Sequence, residues 1–319
     1  MTCNETDGFR TEAAALIARI DARLAVLVPR ALPGQTGLDL AIRESVLAPG
    51  KRLRPMMAVL TAGDLGGDED VAVDAGCAVE MVHAASLILD DLPCMDDAAM
   101  RRGRPATHIA HGEDVAVLSA IAVLSGAYEM LARVEGLSPA ARLEAVTVLT
   151  RAVGVEGLVG GQFADLRGGR APRPLHEIAA TNGRKTGALF LAAVEIGAVT
   201  AGAGEATRAH LRGYAAELGH AFQLLDDLLD VGQNPGTIGK DVNKDAGKST
   251  IVSLLGRSSV EHRIERHVEA AHAELTSVFG AASRLHRLTD AIIALPGGTV
   301  SDVAERDDTE LREPEAGVR

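Results

Sequence analysis

Four carboxylates fall within eight residues, Asp90, Asp91, Asp96 and Asp97, at the end of an apolar run in the string Leu89-Asp90-Asp91-Leu92-Pro93-Cys94-Met95-Asp96-Asp97. A second acidic group closes another such run, Phe222-Gln223-Leu224-Leu225-Asp226-Asp227-Leu228-Leu229-Asp230. There Asp226 and Asp230 are four residues apart and share one helix face. Like charges at that spacing are destabilising unless a cation joins them. Magnesium is the matching partner, since it is usually held by one or two carboxylates together with waters and phosphate oxygens. Either cluster alone reads as a solvated helix end. Two of them in apolar helices point to a pair of metal faces able to grip a diphosphate between them.

Basic residues accompany the acids. Arg101-Arg102-Gly103-Arg104 follows the first cluster, and Lys240, Lys244 and Lys248 follow the second. Arg can grip phosphate bidentately and Lys supplies a compact charge, so both loops could close over bound phosphates. A third group, Gly50-Lys51-Arg52-Leu53-Arg54-Pro55, opens an apolar helix, where free amides and the dipole also favour anions; it could hold a second phosphate-bearing substrate. His83 lies seven residues before Asp90, two turns away on the same face. On its own it reads as a core histidine. The string Asp245-Ala246-Gly247-Lys248-Ser249-Thr250 ends like a nucleotide-binding P-loop, but Val242 stands where that motif requires glycine, and no strand precedes it. No G-x-S-x-G or Cys/His pairing suggests a covalent nucleophile.

The elements that must position these groups read as helices. Leu16, Ile17, Ile20, Leu24 and Leu27 follow helical spacing after a candidate cap at Thr11. Further helices are predicted over 36–48, 53–65, 70–91, 113–133, 139–160, 175–182, 187–201, 205–231, 259–280 and 283–294, separated by Gly and Pro clusters. Segments 71–89 and 115–131 are apolar nearly all round and belong inside a bundle. Long irregular stretches are predicted at 93–112 and 232–250, each directly after an acidic helix end, and loops of that length are commonly functional. Residues 301–319 are charged and aperiodic and read as a disordered tail behind a single domain over 1–300.

Bulk properties narrow the function. The 319 residues are 47% hydrophobic and 24% charged, with 2% aromatics and no Trp, a composition that fills a large core with small aliphatic side chains and favours packed helices. A net charge of −12 argues against nucleic acid or an anionic membrane as partner, so phosphates must be attracted locally. Cys3, Cys77 and Cys94 form no C-x-x-C pair and read as free thiols of a reducing compartment. The start lacks a basic region followed by an apolar run, and the longest uncharged apolar stretch, 115–128, is shorter than the roughly 20 residues a bilayer needs. A cytoplasmic protein without a membrane span is expected.

With these motifs in place the sequence resembles the trans-isoprenyl diphosphate synthases, over about residues 35–295, and among them the bacterial geranylgeranyl diphosphate synthases of carotenoid pathways. The string from His83 through Asp90, Asp91, Asp96 and Asp97 to Arg101 and Arg102 is similar to that family's first aspartate-rich motif in its DDxxxxD form, and Asp226-Asp227-Leu228-Leu229-Asp230 to its second. The resemblance implies an all-α, single-domain bundle of ten or more helices around a deep central cavity, and a homodimer. It makes Asp90, Asp91, Asp96, Asp226, Asp227, Asp230, Lys185 and Lys240 the catalytic set, with Asp90, Asp91, Asp96, Asp226 and Asp230 as ligands of three magnesium ions, for which manganese could substitute. Lys51, Arg54, His83 and Arg102 fall where the family binds isopentenyl diphosphate, and Arg101, Lys185, Thr186, Gln223 and Lys240 where it grips the allylic diphosphate. Gln162, Asp165 and Lys248 also match. Ala48-Pro49 precede Gly50 where a second glycine is usual.

The implied reaction is ionisation of an allylic diphosphate, attack by the double bond of isopentenyl diphosphate, and proton loss. Chain length is set in that family by bulk beneath the first motif. Ala85 and Ser86, five and four residues before Asp90, lie about 6–8 Å below it at helical rise, with Met81 and Val82 one turn deeper as floor candidates. The small Ala85 favours a C20 product over C15, with farnesyl or longer-chain synthesis as the alternative. Terpene cyclases share the two-motif logic but need no second diphosphate site. A catalytically silent partner subunit typically lacks an aspartate motif, and here both are present.

Overall fold

The structure, a computed structural model, describes residues 3–168, 174–232 and 251–294. Among these residues it is all-α apart from one hairpin of two two-residue strands. Helices α1 (Cys3–Leu27), α2 (Thr36–Val46), α3 (Leu53–Asp64) and α4 (Glu69–Asp90) lead to strands β1 (Met100–Arg101) and β2 (Arg104–Pro105). Then follow α5 (Thr107–His111), α6 (Glu113–Arg133), α7 (Pro139–Val153), α8 (Leu158–Arg167) and α9 (Leu175–Asn182). A π-helical turn (Gly183–Gly187) runs into α10 (Ala188–Thr200), and α11 (Glu205–Gly232), α12 (Ile251–Leu255), α13 (Arg257–Phe279) and α14 (Arg284–Ile293) complete the described chain.

Local chemistry explains the starts. Asp68 caps α4 by accepting from the amides of Asp70 and Val71, with Glu69 and Asp70 complementing the dipole in the first turn. Ser138 caps α7 ahead of Pro139, and Ser283 caps α14. Four boundaries differ from the sequence reading. The first helix begins at Cys3, well before Thr11. The single helix expected over 139–160 is two, because Gly154 and Gly157 interrupt it. The stretch 93–112 is ordered into the hairpin and α5. A π turn stands between two segments read as plain helices. The second long loop and the tail, 233–250 and 295–319, lie outside the described residues, as do Lys240, Lys244 and Lys248.

Helices α3, α4 and α10 form the centre, and α4 and α10 are buried on nearly every side. Met56, Met57, Leu60, Met81, Leu131, Leu149, Phe190 and Tyr214 are among the largest fully buried side chains. Each buried side chain of this size contributes about 1.5–3 kcal/mol by leaving water. Gly197 lets α10 meet α3 closely, since a Cβ there would stand 2.3 Å from the Ala58 carbonyl oxygen. A smaller core of Ile178, Ala221, Leu224, Leu228, Ile251, Val252, Val260 and Ile264 backs the second acidic segment with α9, α12 and α13. Arg284 of α14 ties α1, α3 and α4 together through Glu12, Asp64 and Glu69. Helices α4 and α6 are each long and apolar enough to cross a membrane by length and composition. The first is a core helix, whereas α6 leaves Val117, Leu118 and Ile121 exposed.

Candidate active site

The first acidic motif is folded back on itself. Helix α4 ends at Asp90, and the chain turns so that the amide of Asp96 donates to the carbonyl of Asp90 at 2.9 Å. This turn brings Asp96 beside Asp90. Burial, the largest influence, pushes the Asp90 carboxyl up to about 6; Asp96 and Asp91 push the same way, and Lys185 and Arg101 oppose them. Asp91 has a different environment. It is 2% exposed and takes the Arg101 guanidinium through Nε at 3.0 Å and also through Nη2. Grouped by sequence with the metal ligands and the allylic-diphosphate bases respectively, Asp91 and Arg101 here neutralise each other.

The π turn links this motif to the second. Such turns recur at functional sites because the extra residue re-aims side chains. Lys185 lies within electrostatic reach of Asp90 and donates to Asp165 of α8 at 3.0 Å. Its neighbour Thr186 donates to the Gln223 amide oxygen at 2.9 Å, and Gln223 donates to Asp227 at 3.0 Å. The turn thus reaches the first motif through one residue and the second through the next. Gly161 permits the approach of α8, because a Cβ there would come 2.5 Å from the Lys185 amide nitrogen. Beside it Gln162 is 9% exposed, and neither its amide nitrogen nor its oxygen has a hydrogen-bond partner. A buried amide in that state is costly unless something completes it. Asp226 lines a cavity of about 20 Å³ with Lys51, Leu53, Phe222, Leu225, Leu229 and Ile292. Asp230 lies on α11 but its side chain is outside the described residues.

The bases form a separate group. Arg54, in the first turn of α3, stacks its guanidinium 5.1 Å from the ring centre of Phe190, and its buried Nε has no partner. Burial lowers its ordinarily high value to about 10, with Glu80 opposing and Arg102 reinforcing the shift. His83 is held well below the usual imidazole range, first by burial and then by Arg54 and Arg102, so it is neutral near pH 7. Arg102 donates to the Ala48 carbonyl at 3.3 Å. Arg101, Arg102 and Arg104 also line a larger cavity of about 250 Å³ between α2, α4, the hairpin and α5. Of the residues read as setting chain length, Ala85, Met81 and Val82 are fully buried, and Ser86 donates back to the His83 carbonyl.

Among the described residues no three carboxylates, imidazoles or thiols converge into a ready-made metal cage. Asp90 and Asp96, brought together by the turn after α4, are carboxylate donors of the kind magnesium takes, its shell being completed by water and phosphate oxygens. The pattern of the family described as polyprenyl synthetase matches residues 35–282. The chain belongs to the polyprenyl synthetase family. It is 49% identical over 271 residues to a geranylgeranyl diphosphate synthase of Pantoea ananas, covering 84% of this chain and 88% of that one. In structure it is similar to an FPP/GFPP synthase from Zymomonas mobilis, with TM-score 0.80 and 34% identity over 92% of this chain and 100% of that one. It is also similar to a geranyltransferase from Helicobacter pylori complexed with magnesium and isoprenyl diphosphate, with TM-score 0.79 and 28% identity over 90% and 96% of the two chains.

Three features of this polyprenyl synthetase site escaped the sequence reading. The π turn has no sequence signal beyond the two glycines of Gly183-Arg184-Lys185-Thr186-Gly187. Phe190 was readable only as core. Glu80, buried at 3% exposure, could have been found as the carboxylate nearest before His83 in the apolar run.

Proposed function

We propose that this protein is a magnesium-dependent prenyltransferase that condenses isopentenyl diphosphate with allylic diphosphates to give geranylgeranyl diphosphate. The observation that carries the reading is a basic group of Arg54, His83 and Arg102 in which Glu80, outside both aspartate motifs, supplies the countercharge to the two arginines. A cyclase needs one diphosphate site, whereas a coupling enzyme needs two. The 49% identity to a geranylgeranyl diphosphate synthase supports the C20 product.

Asp90, Asp96, Asp226 and Asp230 are the carboxylates that would hold magnesium, whose chemistry is Lewis-acid neutralisation of the departing diphosphate. Lys185, Thr186 and Gln223 orient the allylic diphosphate, joined by Lys240. Asp227 fixes Gln223, and Asp91 fixes Arg101. Lys51, Arg54 and Arg102 bind isopentenyl diphosphate with neutral His83 as a hydrogen-bonding partner. Holding its double bond against the allylic carbon converts a bimolecular encounter into an intramolecular one. The allylic carbon–oxygen bond breaks first, the double bond of isopentenyl diphosphate then forms the new carbon–carbon bond to the allylic carbon, and the released diphosphate takes the proton lost on elimination.

A second copy of the chain is the proposed partner. The exposed Val117, Leu118 and Ile121 on α6 form an apolar face of the kind that self-association covers. The free thiols of buried Cys77 and exposed Cys94 suit a reducing, cytoplasmic setting.

The test is incubation with magnesium, labelled isopentenyl diphosphate and each allylic primer, followed by sizing of the dephosphorylated products. A C20 alcohol is expected, and Ala85→Tyr should shift it to C15. Absence of any elongated product would overturn the reading.

A further inference from the structure

We infer that Glu80 and Arg52 are a positioning pair for the isopentenyl diphosphate site: neither touches the ligand, and together they hold Lys51, Arg54 and Arg102 in the arrangement it requires. The identity of that ligand rests on the function proposed above; the pair itself rests on geometry.

By sequence, Arg52 stands between Lys51 and Arg54 and would count as one more phosphate base. The structure turns it inward. Its side chain is 2% exposed and three of its nitrogens are engaged: Nε donates to Asp21 at 2.7 Å, Nη1 to Glu80 at 2.7 Å and Nη2 to the Ala48 carbonyl at 2.8 Å. A guanidinium so committed has little left for an anion. Its backbone, at the N-cap of α3, has a φ of 48°, a left-handed conformation that costs a non-glycine residue energy and persists only where the surroundings enforce it. The fixed side chain supplies that enforcement. The cap, in turn, sets the direction in which Lys51 leaves the preceding loop and Arg54 enters the helix.

Arg102 is drawn into the same unit. It too has a left-handed φ, 51°, and its Nη1 donates to the Ala48 carbonyl that Arg52 also uses. Gly50 lies against it, since a Cβ at that position would stand 3.0 Å from Arg102 Nη1. One carbonyl therefore registers a base from the hairpin against a base from the entry to α3.

Glu80 supplies the countercharge. It sits on α4 three residues before His83, is 3% exposed, and accepts from Arg52. It is also the carboxylate that favours the charged forms of both Arg54 and Arg102 against desolvation, while Arg102 disfavours that of Arg54, and Arg52 and Arg101 disfavour that of Arg102. Without it the bases would repel and lose either charge or position.

The test compares wild type with Glu80→Gln, the double replacement Arg52→Met with Glu80→Leu, and Asp21→Asn. Measurements are the KM for isopentenyl diphosphate and for the allylic primer, equilibrium binding of isopentenyl diphosphate, and melting by circular dichroism. Exchanging a buried ion pair for apolar side chains of similar volume is often neutral for stability, so the double variant separates folding from positioning. The expected result is a KM and Kd for isopentenyl diphosphate raised about tenfold in the double variant and in Glu80→Gln, with primer KM within about twofold. Asp21→Asn, which removes only the half-exposed partner, should raise the same KM about threefold and decides the matter if the buried variants fail to fold. Unchanged constants in a folded variant, or an equal rise in both KM values, would overturn the assignment. Wild type that binds no isopentenyl diphosphate would strike instead at the proposed function.

Discussion

The two charged halves of the site are built in opposite ways. On the basic side Arg52 is buried and Arg54 and Arg102 are half-buried, the side chains of Arg52 and Arg102 share the Ala48 carbonyl, and buried Glu80 accepts from Arg52. On the acidic side, Lys185 is held by Asp165, Arg101 by Asp91, and Gln162 has an unsatisfied amide. Among the described residues the carboxylates form no finished cage. On the function proposed above, the difference would match what each half holds. A diphosphate that binds without metal needs fixed donors in advance, whereas a metal–diphosphate complex brings its own charge and much of its own coordination shell. The first half can be preformed by folding; the second is completed by its ligand.

The largest effect should come from removing a carboxylate whose charge no protein group replaces. Asp90→Asn or Asp226→Asn is expected to lower kcat about 10³-fold at saturating substrates, while binding of isopentenyl diphosphate without metal stays near wild type. Loss of that binding as well would erase the distinction between the halves. Next in size is Asp91→Asn, which takes from Arg101 the carboxylate that hydrogen-bonds it and leaves only the more distant charges of Asp90 and Asp96. It should destabilise the protein by about 3 kcal/mol, read from denaturant unfolding. An Asp91→Asn protein of unchanged stability but abolished activity would return Asp91 to the metal ligands.

A pH experiment sharpens the basic half. Arg54 is lowered to about 10, so its charge is present below that value and lost above it. Affinity for isopentenyl diphosphate, measured directly without metal, should fall as pH rises through about 10, by about tenfold per unit once deprotonation dominates. The smallest expected change is at Gln223→Leu, which breaks the Thr186 to Asp227 chain. It should raise the primer KM several-fold, the scale of about 1 kcal/mol, and leave that of isopentenyl diphosphate unchanged.

Much of this was legible in the chain. Helical periodicity located nearly every helix, because apolar spacing reports directly on which face is buried. Clustered aspartates in apolar runs marked the two acidic motifs, since like charges at such spacing repel. The boundaries at Gly154 and Gly157 were missed because isolated glycines weaken a helix without ending it. The ordered hairpin at Met100–Pro105 was missed because two residues per strand carry no period.

The sequence by itself determined the fold class, the two acidic motifs, the bases that accompany them and the small residue at Ala85. Only the tertiary structure decided which charges were partners. Arg52 and Arg54 are two residues apart and chemically alike, yet one is bound to Asp21 and Glu80 while the other lies over Phe190 with an open donor. Asp90 and Asp91 are adjacent, yet one lies near Lys185 and the other is taken by Arg101. Neighbours along a helix point about 100° apart, so their surroundings are set by whichever elements pack on each side. Those elements lie far off in sequence, and their placement is a property of the packed core rather than of any local pattern.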